Sequence, residues 1–407
     1  MCVSRFAFNR FCFYDEPERH THPEGNRGIR VSPNNLNLYL IKMIELSASD
    51  LYLRANRPPA FRIHGKIHVL DDPAPTDDQM RQWTQDIMTP IAKERFDASG
   101  DMDIAYIIEG KARYRINLFT AGGHIGLVAR LIPIESISFP DLNLPDSILE
   151  MANATHGFVL VVGPTGCGKS TTLAAMIDHI NRSREAHIVT IEDPVEFYHT
   201  ENKSLIDHRL VGFDTETFAS AIRHVVRQSP DVVLIGELRD ADSIQSAFSA
   251  ALTGHLILST LHTTSVVQSV DRMLGYFPPE SRRQAQIDFA TTLVGIVSMR
   301  LLPRADGHGR VPALEILRGT PTVRRIISEG LFAELYDIMK RSSDRGMCTF
   351  NQSLLDLCNR RLIDPDLALR VSPNPEELRL NIQGMFTGID SIDMRPLDDE
   401  EDSTKEL

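Results

Sequence analysis

The sequence predicts an α/β protein: a first α+β domain, then a mostly parallel sheet with helices on its faces, then C-terminal helices. Three observations predict it. Strand-like and helix-like segments alternate from residue 148 to 320. The segment GPTGCGKS (163–170) lies between an apolar run and an amphipathic helix. Upstream, short alternating and strand-like runs crowd residues 48–132.

Taken in order, residues 1–35 mix Arg, His, Pro and Gly without periodicity and read as an irregular extension. Met43 is open as an internal start. Residues 36–133 form the first domain. LNLYLIKMIEL predicts a short helix, and Asp50–Leu53, Ala60–Ile63 and Lys66–Leu70 alternate as strands do. Thr76-Asp-Asp-Gln79 fits a capping box ahead of a helix to about Arg95. MDIAYIIEG, ARYRINLFT and HIGLVARLI then read as strands. Residues 134–147, rich in proline, read as a linker.

In 148–320, the runs FVLVV (158–162), HIVTI (187–191), DVVLI (231–235) and HLILST (255–260) predict buried strands. Leu173, Met176, Ile177 and Ile180 make one helical stripe. Phe218, Ile222, Val225 and Val226 make a second. Ile244, Ala247, Phe248 and Ala251 make a third, with Gly254 placed to cap it. Residues 321–385 read as helical. Residues 386–407 end in LDDEEDSTKEL, an acidic tail expected to be solvated.

The bulk numbers narrow the class. A chain of 407 residues suggests two or three domains, at roughly 100–200 residues each. A formal net charge of −12 argues against a nonspecific nucleic-acid binder. The five cysteines (Cys2, Cys12, Cys167, Cys348, Cys358) form no CxxC pair, which fits a reducing cytosol. No apolar run has the 18 or so residues of a membrane span, and the N-terminus lacks a secretory h-region. Any membrane role is therefore expected to come through a partner.

The chemistry starts at Gly163-Pro164-Thr165-Gly166-Cys167-Gly168-Lys169-Ser170, which matches GxxxxGK followed by Ser or Thr. Glycines let backbone N–H groups turn around phosphates. Lys169 can reach the β and γ oxygens, Ser170 can ligate Mg²⁺, Thr171 belongs to the same cofactor-binding set, and the following helix points its positive end at the anion. Glu192, Glu237 and His262 each stand just past the end of a predicted strand. The carboxyl edge of such a sheet is where ligands bind. ATP hydrolysis needs an acid that holds Mg²⁺ and a carboxylate that orients the attacking water. Alone, each acid would read as a helix cap or a surface charge; beside the phosphate loop, the two read as catalytic.

Arg113 and Arg115 share a strand face, Arg130 lies on the next strand, and Arg223 and Arg227 are spaced i, i+4. Each is either a solvated charge or a group that stabilises ATP across a boundary. His255, at a strand start, is open between a structural and a functional role.

The segments GPTGCGKSTTLAAMIDHIN, TIEDPVEF, DVVLIGELRD and TGHLILSTLHT together resemble the secretion-type ATPases. They are most similar to the type IV pilus retraction (twitching motility) motors of the PilT/PilU kind. RQSPDVVLIGE, MKRS and PEELRLNI lean toward the PilU branch. The resemblance runs from about Ser47 to about Ile382. It implies a PAS-like first domain and a RecA-like ATPase core. It implies that Glu192 polarises water, that Glu237 is the acid near Mg²⁺, and that His255 and His262 form a functional pair. It implies that Arg113, Arg115 and Arg130 reach nucleotide at a domain or subunit boundary. The implied assembly is a cytoplasmic homo-hexamer, peripheral to the inner membrane, acting on a platform protein; a paralogous retraction ATPase is a further candidate partner.

Three departures stand out. Cys167 replaces the usual loop serine, with oxidation sensitivity expected of its thiol. Tyr52 replaces the histidine of ASDLHL. Thr322–Glu329 replaces AIRNLIRE. Two other readings stay open: an ATPase of a type IVB secretion or conjugation channel, and an ATP-binding accessory subunit that depends on a partner ring.

Overall fold

The computed structural model describes residues 35–63, 65–108, 111–132 and 139–385. The expected extension, apart from Asn35, the acidic tail and residues 133–138 lie outside the described residues. The first helix, α1 (Leu36–Glu45), opens on Asn35, whose side chain accepts from the Asn37 N–H. Its apolar face buries Leu36, Tyr39, Leu40 and Met43. A chain starting at Met43 would lack the first three of these.

Six strands follow around that helix: β1 (Ala48–Arg54), β2 (Arg57–Ile63), β3 (Lys66–Val69), β4 (Asp101–Ile108), β5 (Ala112–Ala121) and β6 (His124–Ile132). They form an antiparallel sheet in the order β3-β2-β1-β6-β5-β4. Burial alternates along β5, so Ala112, Tyr114, Ile116 and Leu118 point into the core. Tyr114 keeps its hydroxyl satisfied by donating to the Leu40 carbonyl at 2.6 Å.

The capping box forms as expected. Gln79 N–H donates to Thr76 Oγ1, and Thr76 N–H donates to the Gln79 side chain. The helix, however, does not reach Arg95. It splits into α2 (Asp77–Ile87) and α3 (Pro90–Ser99). Pro90 lacks an N–H and disfavours helical geometry at Thr89, whose side chain instead caps α3 by accepting from Ala92 N–H.

The expected linker is partly structured. Phe139–Leu142 forms a 3-10 turn, and Phe139 is buried in the same cluster as Ile177 and Ile180. Helix α4 (Asp146–Ala152) then leads into the second sheet.

That sheet contains β7 (Gly157–Val162), β8 (His187–Glu192), β9 (Leu205–Leu210), β10 (Val232–Ile235), β11 (Leu256–Leu261), β12 (Leu293–Pro303) and β13 (Arg310–Arg318). Their order is β13-β12-β7-β11-β10-β8-β9. All neighbours are parallel except β12 and β13. The strands β9, β12 and β13 add to those the sequence predicts. The first is half exposed, with no clean alternation to read.

Helices α5 (Lys169–Ser183), α6 (Phe218–Val225), α7 (Ala241–Leu252), α8 (Val266–Gly275) and α9 (Pro279–Thr292) connect the strands. The predicted stripes face inward: Leu173, Met176, Ile177 and Ile180 on one side of the sheet, and Ile244, Ala247, Phe248 and Ala251 on the other. Phe158 meets Phe248 edge-on at 5.5 Å and Phe289 at 6.0 Å, a geometry that adds about 0.5–1.5 kcal/mol per pair to simple burial. Gly254, at φ +100°, follows the end of α7. Because α6 stops at Val225, Arg227 lies past the helix. Arg223 and Arg227 both line the groove between α6 and α7.

Five helices close the described chain: α10 (Pro321–Glu329), α11 (Glu334–Arg341), α12 (Phe350–Asn359), α13 (Pro365–Val371) and α14 (Pro375–Ile382). The last three form a small core with Leu302 and Val311 of the β12–β13 hairpin. Among the described residues no helix is long and apolar enough to cross a membrane.

Candidate functional site

Parallel pairing aligns the carboxyl ends of β7, β8, β10 and β11 at one edge. The loop after β7 turns there on three glycines with positive φ: Gly163 (+150°), Gly166 (+76°) and Gly168 (+100°). A Cβ on Gly163 would come within 2.5 Å of both Cys167 Sγ and the Met299 carbonyl oxygen. Glycine is thus required at Gly163 on conformation and on space.

Lys169 begins α5 and is only 8% exposed. Its ammonium donates to the carbonyls of Gly163 (3.0 Å) and Pro164 (3.2 Å) and lies 3.4 Å from His262 Nδ1. Burial lowers its pKa below the usual lysine value. Across the ring, His262 Nε2 lies 3.6 Å from Glu237 Oε1. The other Glu237 oxygen accepts from Arg239, Nε at 2.8 Å and Nη2 at 2.7 Å. Lys169, His262, Glu237 and Arg239 thus form one line of polar side chains along the strand ends. Hydroxyl bonds from Ser259 to Ile235 O (2.8 Å) and from Thr260 to Gly236 O (2.6 Å) clamp β11 to β10 behind it.

Glu192 ends β8 on the same edge. Burial pushes its carboxyl up to about 7, against hydrogen bonds from Thr190 and from the Glu196 N–H that favour the ionised form. A carboxylate poised near neutrality suits a base that takes a proton from water.

These groups line one cavity of about 570 Å³, within the range of small-molecule sites. Its wall includes Thr165, Gly166, Gly168, Lys169, Ser170, Thr171, Glu192, Glu237 and His262. Ser170 and Glu237 are hard oxygen donors on that wall. So small a donor set fits Mg²⁺, which keeps waters and phosphate oxygens as its other ligands. The wall also holds Asp193, Glu196, Arg239 and Arg310, which sequence reading did not single out. The first three sit inside the quoted motifs; Arg310 comes from β13 and carries no local signal.

Cys167 corrects an expectation. It is 4% exposed, and burial raises its thiol pKa, so it is a packed apolar group under the loop. The expected oxidation sensitivity has no basis in that environment.

Four further residues are not brought to the cavity. The His255 carbonyl accepts from the Gly157 N–H at 3.0 Å, which places His255 at the amino edge, roughly 20 Å along the strand from His262. There its Nδ1 lies 2.8 Å from the Ala250 carbonyl. Arg130 Nε donates to the buried Asp50 at 2.9 Å, and Arg115 pairs with Asp103 at 3.5 Å. Arg115 and Arg130 are register partners on β5 and β6. Arg113 lies 4.0 Å over the Tyr198 ring.

Residues 36–346 match the family described as type II/IV secretion system protein. The chain belongs to this family. The type IV pilus retractation ATPase PilT of Pseudomonas aeruginosa is 37% identical over 81% of this chain and 95% of its own. The type IV pilus ATPase PilU of the same organism is 34% identical over 84% of this chain and 89% of its own. The crystal structure of the pilus retraction motor PilT with bound ADP superposes with a TM-score of 0.78 at 38% identity. It covers 85% of this chain and 99% of that one. The family resemblance read from the motifs is therefore shown, while the lean toward PilU is not exclusive.

Proposed function

We propose that this chain hydrolyses Mg-ATP and uses the energy to drive type IV pilus retraction. The observation that carries the ATPase reading is the line Lys169–His262–Glu237, which lines one cavity together with Glu192. The loop N–H groups and Lys169 bind and orient the phosphates. Ser170 and Glu237 would hold Mg²⁺, which would neutralise phosphate charge. Glu192 orients the attacking water and takes its proton; His262, between Lys169 and Glu237, keeps both charged groups aimed at the phosphates. The pilus client is supported by the PilT and PilU relatives, which align over nearly their whole lengths.

The working form is a cytoplasmic homo-hexamer, held at the inner membrane by a platform protein. Arg115 and Arg130 lie outside the cavity of one chain, so a nucleotide role for them calls for a neighbouring subunit or a rotated first sheet. Steady-state ATPase assays of wild type and of Glu192→Ala and Lys169→Ala test the enzyme reading. Turnover equal to wild type in Lys169→Ala would sink it. Sedimentation with Mg-ATP at micromolar protein tests the ring, against which a monomer would count. Deletion of the gene, scored for twitching and surface pili, tests the client.

A further inference from the structure

Thr190 and Glu192 lie two residues apart on β8, so the pleat puts both side chains on one face. Thr190 is 1% exposed. Its Oγ1 lies 2.8 Å from Nδ1 of His208, its register partner on β9. On the face it shares with Glu192, the same hydroxyl favours the ionised carboxylate. A hydroxyl carries one proton. If Thr190 donates it to the carboxylate, it must accept from His208, which places the ring proton on Nδ1 and leaves Nε2 bare. His208 Nε2 is indeed a buried atom with no hydrogen-bond partner. Burial lowers the His208 pKa to about 4, so the ring is neutral at pH 7 and holds that single proton. The Tyr198 ring packs on His208 at 4.7 Å, and Arg113 reaches from β5 of the other sheet to stack on Tyr198.

We infer that His208 and Thr190 are positioning residues for Glu192, and that the Arg113–Tyr198 stack ties their alignment to the placement of the first sheet. The inference rests on the reading of Glu192 as the base. His208 fixes the Thr190 hydroxyl rotor; the hydroxyl then fixes the carboxylate rotamer and favours its ionised form. Glu196 and Tyr198 are the other titratable groups around Glu192, with Asp214 and Arg113 acting on Tyr198; His199, Asp207 and Arg113 are those around His208. A first sheet that turns away would withdraw Arg113 from Tyr198 and loosen the pile that holds His208, so the base would be set only in one placement of the two sheets.

The test uses the full chain with Mg-ATP turnover, binding of a fluorescent ADP analogue, and the pH profile of kcat. Thr190→Val is expected to lower kcat about tenfold, to move the acid limb to higher pH, and to leave ADP affinity within about twofold. His208→Leu should behave alike, and the double variant should be no worse than either single one. His208→Gln, whose amide N–H can still donate to Thr190, should restore most of kcat. Arg113→Ala should lower kcat without weakening ADP binding.

Wild-type kcat and acid limb in Thr190→Val would overturn the inference even if His208→Leu failed to fold. Weakened ADP binding in Arg113→Ala, with kcat kept, would make that arginine a nucleotide contact and overturn the coupling. Wild-type protein that binds ADP without turnover would instead sink the motor reading. The inference would then be read from the carboxyl titration of Glu192 by NMR, where Thr190→Val must raise the pKa and an unchanged value refutes it.

Discussion

Lys169 Nζ lies 3.4 Å from His262 Nδ1 while it donates to the carbonyls of the loop that precedes it. The phosphate loop is thereby joined to the end of β11 by a side chain contact, over a separation of 93 residues in sequence. His262→Ala removes that contact and the neighbour of Glu237. It is expected to lower kcat by about 10²-fold with a smaller change in ADP affinity. Single-turnover kinetics beside equilibrium binding would check this; a loss confined to affinity would place His262 in binding alone. Burial also lowers the Lys169 pKa, so turnover should fall on the alkaline side below the usual lysine range.

Glu192 gives a prediction on stability. Its carboxyl titrates near 7 in the fold, against a usual 4.5. Between these values the native state holds a proton that the unfolded chain has lost, so stability falls as pH rises through the window. At about 1.4 kcal/mol per unit, the upper bound is roughly 3 kcal/mol. Glu192→Gln removes the ionisable group. The variant should equal wild type near pH 4.5 and exceed it at pH 8 in denaturant unfolding, while losing turnover. Parallel stability curves for the two proteins would refute the buried-carboxyl account.

Gly163→Ala places a Cβ against the Met299 carbonyl and Cys167 at a φ of +150°. Strain of about 1–3 kcal/mol is expected, with loss of nucleotide binding because the loop must move. Thermal unfolding and ADP titration of the variant check both; unchanged ADP affinity would show that the loop does not need this geometry.

Cys167 should resist thiol reagents. With the side chain buried and its pKa raised, alkylation by iodoacetamide should require unfolding, and ADP should change its rate little. Rapid labelling of Cys167 in the native protein, read by peptide mass, would contradict the packing described.

Much of this protein is local in origin. The phosphate loop was legible because glycine spacing, the lysine and the strand–helix context all lie within a few residues. The capping box of α2 and the inward stripes of α5 and α7 were legible for the same reason: backbone periodicity is a near-neighbour property. Pro90 also acts locally, yet the amphipathic pattern around it concealed the break between α2 and α3.

The rest depends on which strands become neighbours. Sequence places Glu192, Glu237 and His262 at strand ends, but only the order β7-β11-β10-β8 sets Lys169, His262 and Glu237 in line. The same parallel register sends His255 to the far edge, because seven residues of extended chain separate it from His262. Strand β9 has no readable alternation, so nothing local pairs His208 with Thr190. Nor does anything local in Arg113 announce that it stacks on Tyr198. Sequence by itself determined that a phosphate is held and which acids stand ready. Tertiary structure decided how those acids are tuned, because burial and cross-strand hydrogen bonds exist only once distant segments share a core.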